Sequence, residues 1–180
     1  MLRLWTVCLV CFVGTGLFIL LGTPVGVAGD EKGTGSAVTA QEMEDVLALH
    51  NKARKEVGVE PLKWSPTLAK HAQEYADEMA RTGNDMHRAD DKYGENLAIG
   101  KGYTFLELVQ GWYDEKAKYK PGTPYPGVGH GVGHYTQMVW RESTEIGVGK
   151  AVYTTGEFKG QLVIVANYNP PGNFKGEKPY

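Results

Sequence analysis

Both cysteines of this chain, Cys8 and Cys11, fall within its first 21 residues, so whatever the remainder builds must be held together by packing and hydrogen bonds alone. The segment around them reads as a leader. A single charge, Arg3, precedes an apolar run over residues 4–21, small residues at Gly26, Ala28 and Gly29 offer a cleavage site, and the first acid is Asp30. A signal peptide over 1–29 is the expectation. The run approaches the ~20 apolar residues that cross a bilayer, which makes an uncleaved anchor over residues 4–21 the rival reading. Either way the product is exported: secreted, extracellular or periplasmic in the first case, membrane-anchored in the second.

Removing the leader takes one of 19 basic residues and none of the 21 acidic ones, leaving a net charge of −3. The lysines are scattered among acids with no basic stripe, which excludes non-specific nucleic-acid binding by counterion release. Residues 30–38 are polar, Gly-rich and aperiodic, the pattern of a flexible linker. One domain follows over 39–180. About 140 residues can bury enough apolar surface to fold without a disulfide. The absence of a thiol there also excludes cysteine-nucleophile chemistry.

Thr39 with Glu42 forms a capping box, and Met43, Val46, Leu47, His50, Ala53 and Val57 recur at helical spacing, predicting a helix to about Glu56. Ser65 and Pro66 open a second helix with a stripe of Leu68, Ala69, Ala72, Tyr75 and Met79, ending at Gly83. A second capping box, Thr104 with Glu107, opens a third whose stripe is Leu108, Trp112, Glu115 and Tyr119. A short fourth helix is predicted from His134 to Arg141, after a Gly- and Pro-rich loop. Residues 146–154 and 161–168 alternate and are β-branched, as in an antiparallel hairpin. Helices before and between strands give an α+β layered domain.

Glu115 is the residue the pattern itself marks. A carboxylate on a buried helical stripe costs several kcal/mol, on the order given for buried charges, unless it finds a partner or reaches water at a rim. His134 opens the fourth helix, where the positive end of the helix dipole favours the neutral imidazole, the form that ligates metals. His50 lies on the buried face of the first helix and reads as a satisfied core histidine, with Asn51 beside it structural. His71 falls at the edge of a stripe and reads as solvated. His130 sits among Gly127, Gly129, Gly131 and Gly133 and reads as a rim residue of a loop. Asp85, Asp90 and Asp91 beside His87 read as a solvated acidic loop, with cation binding the weaker alternative.

The segment from Gly133 to Trp140 and the segment from Ala166 to Phe174, with Gly94-Glu95-Asn96-Leu97-Ala98 and His50-Asn51 upstream, resemble the signatures of the CAP superfamily (cysteine-rich secretory, antigen 5 and pathogenesis-related 1 proteins). The chain is most similar to the plant pathogenesis-related 1 type. It departs from that type at Val132, Val148 and Ala166, which stand where cysteines are usual. The resemblance implies a three-layer α-β-α sandwich with a central antiparallel sheet, and a cleft in which His87, Glu95, Glu115 and His134 meet. In such a cleft His87 and His134 would bind zinc or another divalent metal, while the glutamates orient the rings or hold a water.

Three functions follow as expectations. The leading one is a non-catalytic exported domain that binds a small apolar ligand, a sterol or a fatty acid, with Tyr119 and Tyr125 as lipid contacts. The second is metal-assisted hydrolysis with Glu95 or Glu115 as general base, since no nucleophile elbow and no His-Glu-x-x-His motif exists. The third is a precursor of a C-terminal defence or signalling peptide from Pro170 to Tyr180, set against a Pro- and Gly-rich tail that merely closes over the hairpin.

Overall fold

A computed structural model describes residues 33–89 and 92–180 of the chain. The signal-peptide and anchor readings, both cysteines, Asp90 and Asp91 lie outside the described residues. In order, the elements are α1 (Ala40–Glu56), β1 (Lys63–Trp64), α2 (Pro66–Thr82), β2 (Gly94–Gly100), α3 (Phe105–Asp114), a 3-10 turn (Glu115–Lys118), α4 (Gly133–Met138), β3 (Glu145–Val152) and β4 (Leu162–Asn169). None of these helices is long and apolar enough to cross a membrane.

Both capping boxes form. The Thr39 hydroxyl accepts from the Glu42 N–H at 3.2 Å, and Glu42 accepts from the Thr39 N–H at 2.8 Å. Thr104 and Glu107 repeat the exchange at 3.3 and 2.8 Å. Each such cap stabilises its helix by about 1 kcal/mol. Ser65 occupies the cap position of α2 but makes no side-chain cap bond; Pro66 alone sets that start, and Gly83 at φ 78° ends the helix.

The sheet runs β1-β3-β4-β2. β3 with β4 and β4 with β2 are antiparallel, as the hairpin pattern predicts, whereas the two-residue edge β1 is parallel to β3. β4 is buried on both faces. Its Ile164, Ala166 and Tyr168 join Ile146 and Val148 under α1, α3 and α4, while Val163 and Val165 face α2 through Ala72, Tyr75, Ala76 and Met79. The result is the three-layer α-β-α sandwich.

Two glycines set the distance between α2 and the sheet. A β-carbon at Gly147 would overlap the backbone of Leu68 and Ala69, and one at Gly149 the backbone of Ala72 and Gln73. β3 therefore lets the helix lie directly on its backbone. On the opposite face Val148 and Ala166 are register partners and fully buried, and Val132 is 5% exposed. Apolar packing fills the positions the resemblance assigns to cysteine.

Residues 33–38 are not a free linker. The Trp64 indole donates to the Thr34 carbonyl at 2.9 Å, the Ala37 N–H donates to Gln73 Oε1 at 3.0 Å, and Val38 joins the core. The hydroxyls of Thr34 and Ser36 bond within the segment, so its polarity does not oppose burial.

Candidate functional site: two histidine–glutamate pairs at one cleft

The third helix stops at Asp114, short of the expected stripe, and tightens into the 3-10 turn that begins with Glu115. The turn aims the carboxylate at the start of α4. Glu115 Oε2 accepts from the backbone N–H groups of His134 at 2.8 Å and Tyr135 at 3.2 Å, and Oε1 meets His134 Nδ1 at 2.7 Å. Burial pushes this carboxyl up, but the bond from the His134 ring, its charge and the two N–H groups outweigh that and hold it below the ordinary value. A carboxylate at a helix amino end is also where the macrodipole favours it.

The second pair forms between the loop after α2 and strand β2. His87 Nδ1 lies 2.8 Å from Glu95 Oε1, which also accepts from the Arg88 N–H at 3.1 Å. Glu95 is 10% exposed and His87 59%; Glu115 and His134 are 14% and 36%. Each pair thus presents a solvent-reachable ring backed by a nearly covered carboxylate. Because Nδ1 is taken in both rings, Nε2 is the atom each offers to a ligand.

All four residues line one cleft of about 810 Å3, walled also by Tyr125 and Phe174. The convergence expected from the resemblance is therefore present. Among the described residues no group of three or more His, Cys, Asp or Glu side chains is arranged to hold an ion jointly. On the cleft side each ring leaves Nε2 as its remaining donor atom, with Glu95 and Glu115 bonded to Nδ1.

Behind the cleft a chain of polar groups runs into the core. Asn96 donates to the His134 carbonyl at 3.1 Å and to the Tyr168 hydroxyl at 3.0 Å; that hydroxyl and His50 Nε2 are 2.8 Å apart, and His50 Nδ1 and the Val46 carbonyl 2.8 Å. The carbonyl can only accept, so Nδ1 carries the proton and Tyr168 donates to Nε2. Burial pushes His50 down to about 4, which keeps the ring neutral. His50 is the satisfied core histidine the helix pattern predicts. Asn51 is structural as well, bracketing both backbone groups of Leu62.

Other expectations change. Tyr119 does not line the cleft; its ring lies against Tyr135 and Tyr180 in the core and its hydroxyl donates to the Thr123 carbonyl at 2.6 Å, because the 3-10 turn redirects it. Tyr125 does line it. His71 is half-buried rather than solvated, edge-on to Tyr93 at 5.0 Å and beside the Arg88 guanidinium. His130 is exposed and absent from the cleft lining, and Asp85 is exposed.

Two residues that helical periodicity does not reveal complete the site. Arg54, 1% exposed, sends its guanidinium to the carbonyls of Glu60, Met138, Trp140 and Ser143 at 2.5 to 3.2 Å, holding the carboxyl end of α4. Asn173, at φ 58°, donates to the Gly133 carbonyl at 2.8 Å and accepts from the Thr136 hydroxyl at 2.7 Å. It ties the C-terminal segment to the first turn of the helix that carries His134.

Comparison with known proteins accords with this geometry. The family model described as the cysteine-rich secretory protein family, CAP, matches residues 47–168. Pathogenesis-related protein 1A of Nicotiana tabacum is 42% identical over 139 residues, 76% of this chain and 80% of that protein. Pathogenesis-related leaf protein 4 of Solanum lycopersicum is 43% identical over 138 residues, 76% of this chain and 82% of that protein. Among solved structures, NaASP2 with Zn2+ superposes with a TM-score of 0.65 at 21% identity, covering 79% of this chain and 86% of that one. BmVAL-1 does so with a TM-score of 0.64 at 25% identity, covering 81% and 84%.

Proposed function

Because the chain belongs to the cysteine-rich secretory protein (CAP) family, with pathogenesis-related 1 proteins among its relatives, we propose that it is an exported, non-catalytic ligand-binding domain whose cleft takes a divalent cation. His87 and His134 would hold it through Nε2, the ring nitrogen that neither glutamate occupies, and the cation would supply Lewis acidity at the cleft. One observation carries this reading: both rings turn Nδ1 onto a carboxylate inside a single cleft, the outer arrangement that orients metal-binding imidazoles. NaASP2, a structural neighbour, was solved with Zn2+, which makes zinc the first probe. A site with two protein ligands leaves positions open for water or a bound molecule.

The cleft volume lies in the range of small-molecule sites, and Tyr125 and Phe174 supply apolar wall for a sterol or a fatty acid. The same geometry weighs against hydrolysis. Glu115 has both oxygens bonded to the start of α4, and Glu95 has Oε1 on His87 and the Arg88 N–H and Oε2 facing the Asn167 amide at 3.5 Å, so both carboxylates are engaged in holding the site together. Bonds that tie the segment after Pro170 to Tyr125, Thr136, Gln137 and Arg141 favour a packed tail over a released peptide.

Calorimetry with Zn2+ on residues 30–180 tests the reading. Wild type should bind saturably, and His87→Ala with His134→Ala should not; equal binding in both removes the cation site. Saturable sterol or fatty-acid binding at micromolar protein is expected too. A peptidase assay with and without chelator should show no turnover.

A further inference from the structure

The cleft sits at an open edge of the sheet. β2 is the last strand, paired on one side only, with β4, and Gly94, Glu95 and Asn96 line the cleft. His87 approaches this edge from the α2 layer and His134 from the α4 layer. In an antiparallel strand the N–H and C=O of one residue point the same way, and successive residues alternate between the partner strand and the free side. The Leu97 carbonyl accepts from the Trp112 indole at 3.0 Å, so the groups of Leu97 point away from β4, and those of Glu95 do likewise. Asn96 then bonds to β4 opposite Ala166.

Trp112 thereby closes the edge at Leu97, whereas among the described residues no hydrogen bond from a neighbouring loop or helix reaches the N–H or C=O of Glu95, which lines the cleft. We propose that Glu95 offers its backbone N–H and C=O to an extended peptide segment of a partner protein, which adds to the sheet as a short antiparallel strand between the two histidine–glutamate pairs. Free sheet edges recruit strands in this way, with main-chain bonds giving affinity and flanking pockets giving choice of side chain. The peptide residue opposite Glu95 must carry an N–H, which excludes proline there.

Charge narrows the partner. Both carboxylates in the cleft are already bonded to imidazoles, while Lys175 stands exposed at its wall. A segment rich in Asp or Glu fits better than a basic one. The inference needs no metal, so it stands or falls separately from the cation site.

The test is nuclear magnetic resonance on 15N-labelled residues 30–180 with EDTA present. In the free protein the Glu95 amide should exchange at least a hundredfold faster than that of Asn96; equal protection overturns the edge assignment. A pool of acetylated, amidated random hexapeptides rich in Asp and Glu, at millimolar concentration, should shift the Glu95 amide and slow its exchange. The same pool with every peptide nitrogen methylated, and a Lys-rich pool, should bind at least tenfold more weakly. No shift with the acidic pool, or an equal shift with the methylated one, removes the proposal.

Discussion

Glu115 and Arg54 hold opposite ends of the same six-residue helix: the carboxylate accepts from its first N–H groups, and the guanidinium donates to carbonyls of Met138 and Trp140 at its end. Each charge lies where the helix dipole favours it. A helix this short gains little from its own hydrogen bonds, so its position, and with it that of His134, is fixed by these two side chains from elsewhere in the chain.

Replacing Arg54 by Met should be among the most damaging single changes. It removes the guanidinium from four carbonyls; that of Trp140 keeps the Ser143 N–H and that of Glu60 lies near the surface, but those of Met138 and Ser143 lose it in a buried setting, at a cost of about 3 to 5 kcal/mol. Urea denaturation reads this directly, and a loss under about 1 kcal/mol would show that water replaces the guanidinium.

Glu115→Gln keeps the shape but loses the charge and one acceptor. Zn2+ affinity should fall about 10- to 100-fold, as when the carboxylate behind a ligating imidazole is removed. The carboxyl is held below its ordinary 4.5, so its stabilising contribution is complete above that pH and disappears as pH falls through the lower folded value. The stability difference between wild type and variant should therefore vanish in acid. A difference unchanged at low pH would assign the effect to packing.

His50 predicts a second acid-sensitive window. The unfolded ring takes its proton near 6.5 and the folded ring only near 4, so the unfolded state binds more protons between those values. Stability is complete above 6.5 and declines as pH falls toward 4, by up to ~3 kcal/mol from the size of that shift. The decline should be missing in His50→Gln, measured by denaturant titration at several pH values. An identical slope in the variant points to another group.

Two glycine substitutions should have opposite effects. Gly149→Ala drives a β-carbon into the backbone of α2 and should cost about 3 kcal/mol or prevent folding. Gly111→Ala, inside α3 and facing open space, should stabilise by about 0.5 to 1 kcal/mol. Thermal melts of the two variants decide both.

The helix starts were legible because each is a local event: Thr39 and Thr104 need only a glutamate three residues on. Strand β2 was not, since both of its faces are covered and Gly94 to Gly100 shows no clean alternation of polar and apolar residues. The end of α3 escaped periodicity because the 3-10 turn serves a bond to His134, nineteen residues away. His71 looked solvated because its neighbours, Tyr93 and Arg88, come from a separate loop. Glu115 could be marked by its conflict with an apolar stripe, yet its meeting with His87, Glu95 and His134 was visible only through the resemblance. Arg54 was hidden for a plain reason: a long cation reads as surface until four distant carbonyls are placed around it.

The apolar contact between Val148 and Ala166, at two positions where the resemblance leads one to expect cysteine, gives the domain an indifference to reductants. Residues 30–180 hold no thiol, so in protein of that span a cysteine introduced at Val128, 94% exposed beside the cleft, is the sole attachment point for a fluorophore or spin label. Occupancy of the cleft can then be followed by a reporter at its mouth, in reducing and oxidising solutions alike.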